Sequence, residues 1–215
     1  MTSPEELLDE LFDQILTGQA PEAVELTTQG LGASIEPTSL LYDAMIPALE
    51  EVGRRFEEGE YFLPEMLISA RAMQAAMDVL RPEIVQAGIE SLGVFVMGTV
   101  AGDIHDVGKN LCNVMLEGAG FEVHDLGINV PGQRFVDAIR ELRPVAVGMS
   151  AFLTTTMPEV AANVRLIEDA GLRDQAVILV GGAPINQEYA DDASADGYAP
   201  DANATVRVTK QLLGI

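Results

Sequence analysis

The sequence predicts an α/β protein: a four-helix bundle followed by a Rossmann-like (flavodoxin-like), doubly wound parallel sheet of five strands. Three observations predict it. Up to residue 88, apolar residues recur at helical spacing. From residue 89, short continuous apolar runs take over, as in strands buried on both faces. Helical stretches alternate with those runs, which is the pattern of βαβ units with helices on both faces of a parallel sheet. The 215 residues suit two units, a bundle over 1–88 and an α/β domain over 89–215.

In the first unit, Ser3-Pro4-Glu5-Glu6 places an N-cap, a first helical proline and an acidic first turn in order. Leu7, Leu8, Leu11, Phe12, Ile15 and Leu16 then form one apolar stripe. Pro21 opens a second helix. Pro37 opens a third, which runs through Leu40, Leu41, Met45, Leu49, Val52 and Phe56 and stops near Gly59. Pro64 opens a fourth, carrying Met66, Leu67, Ala70, Met73, Met77 and Leu80. Short connections between them make an antiparallel bundle. In the second unit the strands are read at 92–97, 145–149 and 176–180, with a shorter one at 121–124 and a short fifth ahead of a turn at 197–201. Helices are read at 107–118, 133–142, 158–170 and 202–213.

Composition excludes several functions. Twelve Lys and Arg against 34 Asp and Glu leave a charge of −22. Binding to nucleic acid needs clustered Lys and Arg at the phosphates, and anionic membranes repel such a chain. At 48% hydrophobic, the sequence fills a core rather than an acidic tail. The one cysteine, Cys112, excludes a disulfide framework and a multi-Cys zinc site. The acidic N-terminus is unlike a signal peptide, and no run approaches the ~18 apolar residues of a membrane helix. The expectation is a soluble cytoplasmic protein.

Ligands of such sheets bind outside the carboxyl ends of the strands. The loops there cover residues 98–108, 125–131, 150–156, 181–184 and 197–201. The first holds Asp103 and His105, two apart and just before a helix. A carboxylate beside a histidine suits a metal ligand, because it fixes the tautomer and raises the basicity of the ligating nitrogen. The same pair equally serves as helix caps or loop surface. His124 has no comparable setting and reads as structural.

The spacing of the loops adds to this. Asp103-x-His105-x-x-Gly108 is followed after 41 residues by Ser150-x-Phe152, and that after 28 residues by Gly181-Gly182. The series resembles the signature of cobalamin-binding domains: Asp-x-His-x-x-Gly, then Ser-x-Leu, then Gly-Gly. Phe152 stands where the signature has Leu, which bears on packing around the nucleotide tail. The stretch from Glu60 to Met73 looks like the helical cap that precedes the cobalamin module of methionine synthase and of small corrinoid proteins. Leu153-Thr-Thr-Thr-Met157 and Gly197-Tyr-Ala-Pro-Asp201 look like the corrinoid proteins of methyltransferase systems, so the likeness covers nearly the whole chain.

That resemblance implies a methyl carrier in C1 metabolism rather than a complete enzyme. It implies cobalamin (methylcobalamin or another corrinoid), with His105 replacing the cofactor's own base on cobalt. Asp103 would hold the far nitrogen of His105, and Thr156 would continue the relay. Gly102, Ile104, Asp106, Val107 and Gly108 would contact the cofactor beside them. Ser150, Phe152, Leu153 and Thr154 would do so from the third strand, and Gly181, Gly182, Tyr198 and Ala199 along the slot for the nucleotide tail. Phe62, Leu63, Met66 and Met73 are the candidates for an apolar lid over the upper face. The implied partners are a substrate:corrinoid methyltransferase, a second methyltransferase linked to tetrahydrofolate or a thiol, and a reductive activation protein. A cobalamin-dependent sensor and the small subunit of an adenosylcobalamin mutase are the competing readings. The former commonly adds a DNA-binding domain, for which no basic segment is left over.

Overall fold

The computed structural model describes residues 3–88 and 91–215. The chain divides into two units between residues 90 and 91. The boundary expected between 88 and 89 adjoins residues 89 and 90, which lie outside the described residues.

The first unit is helical. Helix α1, Pro4–Leu16, begins with a reciprocal cap: the Glu6 N–H donates to Ser3 Oγ at 3.2 Å, and the Ser3 N–H donates to Glu6 Oε2 at 2.8 Å. It buries Leu7, Leu11, Ile15 and Leu16. Helix α2 is Ala20–Gly32. The third helical stretch is not uniform. A short α3, Pro37–Ser39, leads into a π-helical segment, Leu40–Met45, and then α4, Ile46–Glu57. Pro47 explains the interruption. It has no N–H for the Asp43 carbonyl and its ring crowds that carbonyl, so the preceding turn widens. The Ile46 N–H accordingly donates five residues back, to the Leu41 carbonyl. Helix α5, Leu63–Gln86, starts where Glu65 accepts from the Phe62 N–H at 3.0 Å. It packs on α1, α2 and α4, burying the stripe Met66, Ala70, Met73, Met77 and Leu80.

The second unit is a five-stranded, wholly parallel sheet in the order β2-β1-β3-β4-β5. The strands are β1, Val94–Thr99; β2, Glu122–Asp125; β3, Ala146–Ser150; β4, Val177–Gly181; and β5, Gly197–Tyr198. The helices are α6, Val107–Gly118; α7, Gly132–Leu142; α8, Met157–Asp169; α9, Gln187–Asp192; and α10, Ala202–Leu213. Two expectations shift. The fifth strand is Gly197–Tyr198 itself, within the residues read as a turn, and α9 has no counterpart in the sequence reading. Both are too short to show an apolar period, and α9 is marked only by its cap, Asn186, which accepts from the Tyr189 N–H.

One face of the sheet buries Val96, Val147, Met149, Ile178 and Val180 with Phe135, Ile139, Val160, Val164 and Ile167 of α7 and α8. The other buries Phe95, Met97 and Leu179 with Leu116 of α6. A Cβ on Gly98 would lie 2.8 Å from the Phe135 ring, so the small residue in β1 makes room for the large one in α7. No helix among the described residues is long and apolar enough to cross a membrane. Phe135 is fully buried, and Phe135→Ala leaves a cavity costing about 3–5 kcal/mol. Urea unfolding of the α/β unit is expected to shift to lower denaturant by that amount.

Candidate functional site

In a sheet ordered 2-1-3-4-5, the strand order reverses between β1 and β3, and the crevice there is where ligands bind. The loop after β1 and the loop after β3 meet at this point, and one side chain joins them. Asp103 is fully buried. Its Oδ1 faces His105 Nδ1 at 2.7 Å and accepts from the His105 N–H at 3.1 Å. Its Oδ2 accepts from the Phe152 N–H at 2.7 Å, the Leu153 N–H at 3.2 Å and Thr156 Oγ1 at 2.7 Å. The Thr156 hydroxyl also lies 2.9 Å from the Leu153 carbonyl. It has one proton, and the carboxylate is the stronger acceptor.

Burial alone would raise the Asp103 pKa. The hydrogen bonds from Thr156, from the Phe152 and His105 backbones and from the His105 ring outweigh it, and hold the carboxyl well below the ordinary carboxylate range. Asp103 is therefore ionised and acceptor-only, and the imidazole carries its proton on Nδ1. Nε2 has no hydrogen-bond partner among the described residues, and the side chain is 44% exposed. The arrangement is a histidine locked at one nitrogen and open at the other.

Three residues that sequence reasoning missed hold this loop. Thr99, fully buried at the end of β1, donates its hydroxyl to the His105 carbonyl at 3.2 Å. Asn129, after β2, accepts from the Gly102 N–H at 2.7 Å and donates its own N–H to the Asp103 carbonyl at 2.9 Å. Both Gly102 (φ +80) and Asn129 (φ +51) are left-handed, a conformation Gly and Asn tolerate best. Lys109, in the first turn of α6, is 3% exposed. Its ammonium pairs with Asp125 at the end of β2 and donates to Asn110 Oδ1 at 2.7 Å. That pair ties the helix following His105 to the sheet. Of the three, only Asn129 carried a local sequence signal that could have been used, a Gly-x-Asn loop of the kind that favours turns.

The remaining candidates fall in two groups. Ile104, Val107, Phe152 and Leu153 are exposed apolar residues around His105, with Gly102 and Thr154 exposed and Asp106 half-buried beside them. Gly108 is exposed, and a Cβ there meets nothing within 4 Å. Ser150 ends β3, where its carbonyl accepts from the Val100 N–H. Gly181 and Gly182 have a plainer constraint than a slot. A Cβ on Gly182 (φ +128) would lie 1.8 Å from the Ala151 carbonyl, and one on Gly181 2.8 Å from that of Ala199, so the protein's own backbone excludes side chains there. Tyr198 is half-buried in β5, and Ala199 is buried. In the helical unit, Phe62 and Leu63 are 65% and 48% exposed at the start of α5, whereas Met66 and Met73 are buried. His124 Nε2 lies 2.9 Å from Glu122 Oε1 within β2.

Because the pKa of Asp103 is lower folded than unfolded, its contribution to stability is complete above the unfolded value of about 3.9 and declines as pH falls below it. Urea unfolding of the parent and Asp103→Asn across this range checks it: the stability gap at neutral pH is expected to narrow in acid.

Both units of the chain resemble known proteins. A B12-binding domain family matches residues 93–207, and a second B12-binding domain family matches residues 7–81. The dimethylamine corrinoid protein 1 of Methanosarcina mazei is 40% identical over 215 residues, covering 99% of each chain. The methanol:cobalamin methyltransferase complex of Methanosarcina barkeri contains a chain that superposes with a TM-score of 0.84 at 26% identity, over 98% of this chain and 80% of that one. A cobalamin-binding protein from Desulfitobacterium hafniense gives a TM-score of 0.77 at 30% identity, over 95% and 97%. With relatives of its own length and both units matched, the chain belongs to the B12-binding corrinoid proteins of methyltransferase systems.

Proposed function

We propose that this protein is a methyl carrier: it holds a corrinoid at the carboxyl edge of the sheet, gives cobalt the Nε2 of His105 in place of the cofactor's own base, and passes a methyl group between partner methyltransferases. The observation that carries the reading is His105, fixed through Nδ1 to a buried carboxylate and open at Nε2. Among the described residues, no group of three or more His, Cys, Asp or Glu could hold a metal ion. A metal reaching His105 must therefore bring most of its donors with it, as the metal of a macrocycle does. The exposed apolar residues Ile104, Val107, Phe152 and Leu153 suit the body of such a ligand, and the open space at Gly108 suits its tail.

Bound cobalamin supplies a cobalt centre that accepts and releases methyl groups. The chain's own residues set how strongly that centre is coordinated. His105 donates the Nε2 lone pair. Asp103 accepts the hydrogen bond from Nδ1–H and so makes the imidazole a better donor. Thr156 hydrogen-bonds Asp103 on its other oxygen and helps keep that carboxylate ionised and seated against His105. A proton gained or lost along Asp103, His105 and Thr156 changes the donor strength at Nε2. Ser150 contributes a hydroxyl at the end of β3 for the nucleotide tail. Phe62 and Leu63 give the helical unit exposed apolar surface for shielding.

Relatives named for dimethylamine and the neighbour from the methanol system support a substrate:corrinoid methyltransferase as partner. A second methyltransferase linked to tetrahydrofolate or a thiol and a reductive activation protein complete the proposal, since methyl must leave and oxidised cobalt must be recovered. The choice of methyl donor rests with the partner.

Reconstitution with cobalamin and EPR of the Co(II) form test the reading. The parent is expected to show coupling to one histidine nitrogen, and His105→Ala to lose it; coupling that survives in His105→Ala rejects the assignment. Asp103→Asn leaves a weaker donor, so cobalamin affinity is expected to fall about 10–100-fold and the Co(II)/Co(I) midpoint potential to rise. Thr156→Val, one bond further out, moves both in the same direction by less. Spectroelectrochemical titration of the three proteins reads the order.

A further inference from the structure

The His105 imidazole lies on the Phe152 ring, with centroids 4.4 Å apart and planes inclined by 25°. Phe152 is the one position of the loop motifs that departs from the pattern this chain resembles, where a leucine stands. The residue is 49% exposed, so the ring packs on the imidazole at the surface rather than within the core. Its backbone N–H donates to Asp103, the same carboxylate that holds His105. One buried group thus places both rings.

The bond from Nδ1 to Asp103 fixes a pivot and leaves the imidazole able to rock about it. A flat aromatic face removes that freedom, because tilting the imidazole away gives up the stacked contact. A leucine at this position presents methyl groups and no face to stack on.

We infer that Phe152 is a positioning residue for His105: its ring holds the imidazole plane so that Nε2 points in one direction. This differs from the role in packing the nucleotide tail that the sequence implied. The consequence for cofactor binding rests on the reading of His105 as the cobalt ligand; the stack itself does not. Aromatic pairs of this kind bias an equilibrium about 2- to 12-fold.

Two measurements test it. In the cofactor-free protein, NMR of the His105 ring protons is expected to show an upfield ring-current shift that disappears in Phe152→Leu and persists in Phe152→Tyr. Equal shifts in the parent and the leucine variant overturn the inference. In the loaded protein, the Kd for cob(II)alamin is expected to rise about 2- to 12-fold in Phe152→Leu and to return in Phe152→Tyr. The same substitution made in His105→Ala should then add nothing, as a double-mutant cycle requires for a residue acting through another. A loss of equal size in both backgrounds means that Phe152 touches the cofactor directly, and overturns the inference. If the parent Co(II) form lacks histidine-nitrogen coupling, the ligand reading fails and this role with it; the ring shifts of the metal-free protein then still report the stack separately.

Discussion

A single buried carboxylate organises the site. Asp103 has no exposure to solvent, so its charge persists only if both oxygens are saturated with donors. It reaches that state by collecting the His105 ring and backbone from its own loop, and the Phe152 and Leu153 backbones and the Thr156 hydroxyl from the loop after β3. Neither loop satisfies it alone. The two loops are neighbours because β1 pairs with β3 at the reversal of strand order. The topology therefore creates the meeting point, and the carboxylate makes the meeting obligatory.

Other interactions keep the His105 loop from drifting. Asn129 closes it from the β2 side, Thr99 holds the His105 carbonyl from below, and Lys109 with Asp125 anchors the helix that follows. Each uses a polar group at the carboxyl edge of the sheet, where the backbone leaves regular pairing and donors and acceptors need partners. The result is an imidazole with its proton assigned, its plane supported and one nitrogen available. Under the proposed function, such preorganisation would aim the single donor that the chain offers to the metal.

Much of this was legible in the sequence, for identifiable reasons. The continuous apolar runs located β1, β3 and β4 to within two residues, because strands buried on both faces must be apolar throughout. They erred toward the N-terminus. Gly98 and Thr99 close β1, and Ser150 and Gly181 close β3 and β4, and none of these looks like core. Yet Thr99 is buried for its hydroxyl, and Gly98 is small because Phe135 needs the space. The fifth strand and α9 were misread or missed because two and six residues carry no period. The π segment needed Pro47 to be weighed against the stripe around it. At the site, the Asp-x-His pair and the intervals between the loop motifs singled out Asp103 and His105, and the resemblance they carry supplied Thr156. Asn129 and Lys109 escaped because their partners lie in another loop or strand and only the folded sheet brings them together; Thr99 escaped because its partner is a backbone carbonyl, which no side-chain pattern marks.

The site depends on one property of His105: Nδ1 keeps its proton and donates it in a hydrogen bond to Asp103, and Nε2 is left bare. Long-range nitrogen–proton NMR of histidine-labelled, cofactor-free protein reads this directly. A protonated Nδ1 and an unprotonated Nε2 are expected in the neutral ring, with cobalamin then perturbing Nε2 far more than Nδ1. A neutral ring protonated at Nε2, or cobalamin binding that leaves Nε2 unchanged, would contradict it.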